Sequence, residues 1–292
     1  MPSLWMIVAS LLFACMGVCV KLGSDTFSAG EMVFWRGFAG LLLTVPFARL
    51  SGMPLGTPLW RLQVSRSLSG ALALLCYFAA IGLLPLATAA TLSYTSPIFI
   101  ALLLALWFRE RLRWPALLSL GIGFAGIVLL LRPTLQADQW SGAAVGLAAG
   151  MLASLAYVSV RELGRGGEPE ARTVFWFSAA TSLLGLPWLL ASGGFHAIDG
   201  RGALILAGIG LFGTIAQLAM TRAYRYGRTI VSASLSYTTV IFASLFGILF
   251  WDEHLSPTGW VAIALIIASG VLTGLATRSG GSAQNTSASK GI

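Results

Sequence analysis

Ten long apolar runs, separated by short polar connections, organise this sequence. They cover roughly residues 4–22, 29–50, 64–84, 88–109, 114–131, 141–162, 171–192, 202–224, 230–251 and 258–277. Each is close to the ~20 residues an α-helix needs to cross a ~30 Å hydrocarbon core. A membrane β-barrel would show alternating segments of about 10 residues instead. These runs are continuous, so the pattern predicts an all-α polytopic membrane protein with ten transmembrane helices. The connections carry Gly, Pro, Asp and Arg. The tail "SGGSAQNTSASKGI" (279–292) is Gly/Ser-rich and predicted to be disordered.

The pattern also repeats. Residues 91–99 read "TLSYTSPIF" and residues 234–242 read "SLSYTTVIF", an offset of 143. Gly70/Gly213, Ala80/Ala223 and Glu110/Glu253 share that offset. Earlier in each half, "VFW" at 33–35 returns at 174–176, and Pro46/Pro187 and the "LG" of 22–23 and 163–164 keep the same offset of 141. The collinear order of these matches predicts a duplication, with residues 1–135 as one five-helix repeat and 136–278 as the second. Five is odd, so the second copy must cross the membrane in the opposite sense.

Charge bears on that inversion. With the N-terminus in the cytoplasm, fourteen Lys and Arg fall on inner connections and the tail: Arg49, Arg61, Arg66, Arg109, Arg111, Arg113, Arg161, Arg165, Arg172, Arg222, Arg225, Arg228, Arg278 and Lys290. Only Lys21, Arg132 and Arg201 fall outside. The bias predicts cytoplasmic termini. It also switches between copies. "RERLR" (109–113) ends span four, whereas its mate "DEHLS" (252–256) has no Arg; uncharged "GLLPLAT" (82–88) corresponds to basic "RYGRTIV" (225–231).

Composition excludes several classes. Apolar residues make up 57% of the chain and charged residues 10%, far below the ~25% of soluble domains. The net charge of +8 sits between apolar runs rather than in an aromatic-interleaved patch, which argues against nucleic acid. Cys15, Cys19 and Cys76 lie in apolar runs, and His196 and His254 have no ligand constellation, so no metal, cofactor or enzyme chemistry is expected. A signal peptide requires a basic first stretch, and residues 1–20 hold no Lys or Arg, so they are expected to remain as span one.

The residues "ATAATLSYTSPIFIALLLALWFRERL" (87–112) and "IVSASLSYTTVIFASLFGILFWDEHL" (230–255) carry a family resemblance. With the ten spans, the five-plus-five duplication and the basic inner connections, they resemble the EamA branch of the drug/metabolite transporter superfamily. Within it, the chain is most similar to the YddG-type exporters of aromatic amino acids. The resemblance implies a secondary transporter with a central cavity in the bacterial inner membrane, moving small metabolites outward by alternating access. It is expected to act as a monomer. A flippase, or a transporter of a lipid-linked or multidrug-type substrate, is the alternative.

In inverted repeats the substrate site lies near the midplane between halves. Tyr94 and Tyr237 are the first candidates, each seven residues into its span, one expected in the outer half of the membrane and one in the inner. Ser93 and Ser236, beside Thr95 and Thr238, either contact substrate or bond helix to helix. Trp35 and Trp176 form the second pair, serving the cavity or an aromatic belt. Tyr77, Tyr157 and Gln217 are unpaired polar residues inside spans. Arg36 either attracts a substrate carboxylate, pairs with Glu31 or snorkels outward; its repeat mate is Phe177. Glu31 reads as a helix N-terminal acid. No span has a carboxylate near its middle, which predicts transport without proton coupling. Gly142, Gly146 and Gly150, and the Gly of "GIGFAG" (121–126), read as packing residues. Pro97 should bend span four more than Val240 bends span nine, making span four a candidate gate.

Overall fold

The structure is a computed structural model and describes residues 2–110, 112–132, 139–252, 254 and 256–288. Arg111, Glu253 and Lys290, used in the charge and repeat patterns above, lie outside the described residues. All described elements are helical. After a single 3₁₀ turn at Pro2–Leu4 come α1 (Trp5–Gly23), α2 (Ala29–Leu50), α3 (Trp60–Leu83), α4 (Leu86–Ser93), α5 (Ser96–Leu106) and α6 (Trp114–Leu131). The second half holds α7 (Trp140–Arg165), α8 (Glu170–Ala191), α9 (Gly200–Tyr226), α10 (Thr229–Leu235), α11 (Thr238–Trp251) and α12 (Pro257–Ala288).

These make ten membrane spans, because α4 with α5 forms span four and α10 with α11 forms span nine. The apolar runs foretold the spans to within about a turn. Local signals set the ends. Ser28 accepts the Glu31 N–H at 3.2 Å and Asp199 accepts the Gly202 N–H at 2.6 Å, each capping a helix start. Pro115 occupies the first turn of α6, where its missing N–H is not needed. The membrane-crossing part of α12 ends at Ala276, and its helix continues through the Gly/Ser-rich segment to Ala288.

The packing order has a symmetry of its own. Span three packs on span six, and span eight on span one; span two packs on seven, and five on ten. Span two also meets eight, as seven meets three, and span one meets nine, as six meets four. Exchanging each span for the one five places later leaves this set of pairings unchanged.

Small residues permit these approaches. A side chain at Gly142, Gly146 or Gly150 would strike Leu84, Leu92, or Thr95 and the Leu92 carbonyl, so this stripe seats α7 against the end of α3 and the start of span four. A side chain at Gly123 would come within 2.8 Å of the Tyr237 ring. At Gly30 and Gly37 it would meet the α8 backbone, which lets spans two and seven close on one another.

Candidate functional site

The repeated phrase is where both long spans break. Helix α4 ends at Ser93 and α5 starts at Ser96; α10 ends at Leu235 and α11 starts at Thr238. The local reason lies in the hydroxyls. Ser236 Oγ donates to the Ala233 carbonyl and Thr238 Oγ1 to the Leu235 carbonyl, both at 2.7 Å, and Thr95 Oγ1 donates to the Leu92 carbonyl. Bonds from side chain to a carbonyl one turn back compete with the backbone ladder and bend helices. The backbone tightens to i−3 bonds at the same places, Thr95 N–H to Leu92 and Tyr237 N–H to Ser234.

This corrects the expectation for Pro97. Spans four and nine are both broken, although nine has Val240 at the matching position. Pro97 sits in the first turn of α5, where a proline removes no helical hydrogen bond. The Ser/Thr phrase is shared by both copies and accounts for both breaks.

Tyr94 and Tyr237, expected on opposite sides of the membrane's middle, come into contact. Their rings meet edge to face, with centroids 6.4 Å apart. Helices α4 and α10 rise about 10–12 Å at 1.5 Å per residue, so each break approaches the middle of a ~30 Å core from its own side. Two phenol rings span the remaining gap. Tyr237 is fully buried, and its hydroxyl has no hydrogen-bond partner among the described residues.

A second centre lies where α2, α8 and α9 meet. Arg36 Nη2 approaches Gln217 Oε1 at 3.5 Å, and its guanidinium carbon lies 5.3 Å from the ring centre of Phe177. Arg66 lies over the same ring at 4.4 Å and is only 1% exposed. The charge count above treats Arg66 as a connection residue. That expectation is corrected: α3 begins at Trp60, before the apolar run does, and carries Arg66 into the bundle. A side chain at Gly70 would collide with the Arg66 guanidinium and approach Phe177 at 3.1 Å. Arg36, Phe177, Ser178, Thr214 and Gln217 line a space of about 10 Å³, room for one water.

Other candidates separate. Trp176 Nε1 donates to the Leu55 carbonyl at 3.1 Å, which ties span seven to the loop before α3. Trp35 sits in an aromatic group with Phe34, Phe38 and Phe195. Tyr77 packs edge-on against Phe78. Ser93 stands at the α4 end, where its carbonyl faces Gly150. Glu31 does not pair with Arg36. It is fully buried and holds His196, accepting the backbone N–H at 3.2 Å and meeting Nδ1 at 2.7 Å. Span two thereby grips the loop between α8 and α9.

At the arginine-rich end the bundle opens into a cavity of about 330 Å³, lined by Leu104, Glu110, Arg161, Arg165, Tyr224, Arg225, Arg228 and Thr229 among others. Arg161 and Arg165 pair with Glu110, and Arg225 with Glu170. Tyr224 stacks on Tyr157 with centroids 5.2 Å apart. Sequence reasoning missed Arg66, Phe177 and Tyr224. Only for Arg66 was there a signal: Gln63, one turn earlier, is a second polar residue on the same stretch of helix. Among the described residues no three His, Cys, Asp or Glu side chains gather as a metal site would.

Comparison with known proteins is consistent with this geometry. The EamA-like transporter family matches the chain twice, over residues 1–132 and 140–275. An uncharacterized transporter from Helicobacter pylori (strain J99) is 33% identical over 279 residues, covering 92% of this chain and 93% of its own. The Pseudopaline exporter CntI of Pseudomonas aeruginosa (strain UCBPP-PA14) is 32% identical over 266 residues, covering 91% and 90%. A riboflavin transporter of Rhizobium johnstonii is 27% identical over 278 residues, covering 91% and 88%. One crystal structure superposes with a TM-score of 0.84 at 22% identity, over 94% of this chain and 97% of that one; it shares the fold.

Proposed function

Because this chain belongs to the EamA-like transporter family, we propose that it is a secondary transporter exporting small metabolites of amino-acid type from the bacterial cytoplasm. The observation that carries this reading is the meeting of two matched helix breaks at Tyr94 and Tyr237 in the buried centre. Broken spans at an interface between repeats are where transporters of this build hold substrate. Residues 1–135 and 136–278 act as inverted halves that rock about that centre. The pairing order supports this reading, since it is unchanged by exchanging the halves, as does one family match in each half.

The arginine-lined cavity faces the cytoplasm, as do both termini, and the membrane is the inner one. The fourteen-to-three bias of basic residues supports that orientation. The named relatives carry different solutes, pseudopaline and riboflavin. Substrate class therefore follows from the side chains. Tyr94, Tyr237, Tyr157 and Tyr224 offer aromatic faces for an apolar body, and Arg36 offers a partner for a carboxylate. This favours aromatic and other apolar amino acids and their derivatives over a lipid-linked headgroup.

Transport proceeds without proton coupling: among the described residues no carboxylate lies near the middle of a span. The test is efflux of labelled amino acids and their derivatives from loaded proteoliposomes. Tyr94→Ala and Tyr237→Ala should each slow efflux at unchanged protein content; equal rates in wild type, both variants and empty liposomes sink the reading. Strong stimulation by an imposed pH gradient, lost in Glu31→Gln, would falsify the uncoupled mechanism.

A further inference from the structure

We propose that Arg36 and Arg66 form a single anion-binding site inside the bundle, and that the transported solutes carry net negative charge on carboxylates. The inference rests on the transport reading above and narrows its substrate class.

The argument begins with unmet demand. A guanidinium presents five N–H donors and stays charged. Among the described residues Arg36 has one acceptor, Gln217, at a long 3.5 Å, and Arg66 has none. Nε of both is buried without a partner. No carboxylate among the described residues pairs with either. The acids around them are engaged: Glu31 holds His196, while Glu168 holds Arg172, Gln63 and Thr57.

Two unpaired cations inside a membrane protein are costly, and residues kept there at such cost usually serve a pathway. Both guanidinium groups lie against one ring, that of Phe177, at 5.3 Å and 4.4 Å from its centre. An anion held by both would supply the missing acceptors. Arg also suits carboxylates by its planar fork.

Within the amino acids and derivatives of the transport reading, the same census selects the derivatives over the simple zwitterion. An amino acid would bring an ammonium into a site with two cations and no free carboxylate. Its amino group must therefore be masked, or outnumbered by carboxylates. The approach is consistent with this. The vestibule carries Arg161 and Arg165, paired with Glu110 and Glu162, Arg225, paired with Glu170, and Arg228, which has no ion pair among the described residues. Such a lining concentrates anions at the opening. At the inner wall of this opening Tyr224 stacks on Tyr157. Only about 10 Å³ is open beside Arg36 and Gln217, so the helices there must separate to admit a solute.

The test uses the purified full chain in detergent and its thermal unfolding midpoint. The probes are succinate and phenylsuccinate, the neutral succinamide, zwitterionic alanine, and chloride. A ligand that binds only the folded state raises the midpoint. The dicarboxylates should raise it by several degrees; succinamide, alanine and chloride should not. Arg36→Gln and Arg66→Gln should each weaken the apparent affinity about tenfold or more, as expected for loss of a charged hydrogen-bond partner. Arg228→Gln, confined to the vestibule, should weaken it far less. If a Gln variant fails to fold, Arg66→Lys and Arg36→Lys keep the charge without the fork and should bind measurably more weakly.

The proposal is overturned if no dicarboxylate stabilises the protein, if succinamide does so equally, or if the effect survives in both Arg variants. The two readings fail differently. Stabilisation by dicarboxylates without efflux from proteoliposomes defeats transport and leaves the anion site. Efflux of a zwitterionic amino acid at full rate in Arg36→Gln and Arg66→Gln defeats the anion site and leaves transport.

Discussion

Two contacts join the halves at the centre of the bundle: Tyr94 with Tyr237, and Arg36 with Phe177. Each joins residues at corresponding positions of the two repeats. The first keeps the same residue on both sides, in a phrase that breaks both helices the same way. The second has diverged into a cation and the ring beneath it. The difference separates a backbone feature from a side-chain one. What both copies retain is the helix break, set by hydroxyls present in each phrase. What they do not share is the charge, since Arg36 faces a phenylalanine at its matching position.

The comparison breaks most severely at Gly123. Valine there presses on the Tyr237 ring, which a side chain at this position would approach to 2.8 Å. Overpacking of this kind costs about 1–3 kcal/mol. Gly123→Val should lower the unfolding midpoint and abolish efflux, whereas Gly121→Val, with nothing within 4 Å of its added carbon, should do neither.

The diverged contact responds next. Phe177→Leu keeps much of the bulk but removes the ring that both guanidinium groups lie against, a loss of about 1–2 kcal/mol. Its effect should vanish largely in an Arg66→Gln background, measured as a double-mutant cycle on unfolding. Additive losses would mean that the ring and Arg66 act separately.

For the retained contact, Tyr94→Leu and Tyr237→Leu should couple by about 0.5–1.5 kcal/mol, the value of an aromatic pair beyond its burial. Tyr237→Phe should be tolerated better than Tyr237→Leu, because the hydroxyl has no partner among the described residues. The smallest effect belongs to Pro97→Ala, within about 0.5 kcal/mol and with efflux near wild type, since the break follows the hydroxyls rather than the proline. A large loss of efflux there would restore Pro97 as the gate.

The spans were legible because crossing a bilayer is a local, one-dimensional demand. An apolar run of the right length answers it whatever the neighbours do. The phrase around Tyr94 and Tyr237 was legible as a repeat and as candidate site, yet its role as a break was obscured by Pro97. Proline is the stronger helix breaker in general, but its effect depends on its place in the helix. Arg66 counts with the inner connections in the charge pattern because it stands beside other arginines near a span end. Whether such a charge meets water or protein depends on which helix covers it.

The sequence by itself determined ten apolar helices, their boundaries, the repeated phrase and the bias of basic charge. All of these rest on neighbours along the chain. Tertiary structure alone decided that Tyr94 meets Tyr237, that Glu31 turns to His196 and away from Arg36, and that Arg36 and Arg66 share one ring. Those facts arise from helices far apart in sequence, packed through small residues. A contact between residues 36 and 177 leaves no trace in the local pattern around either one.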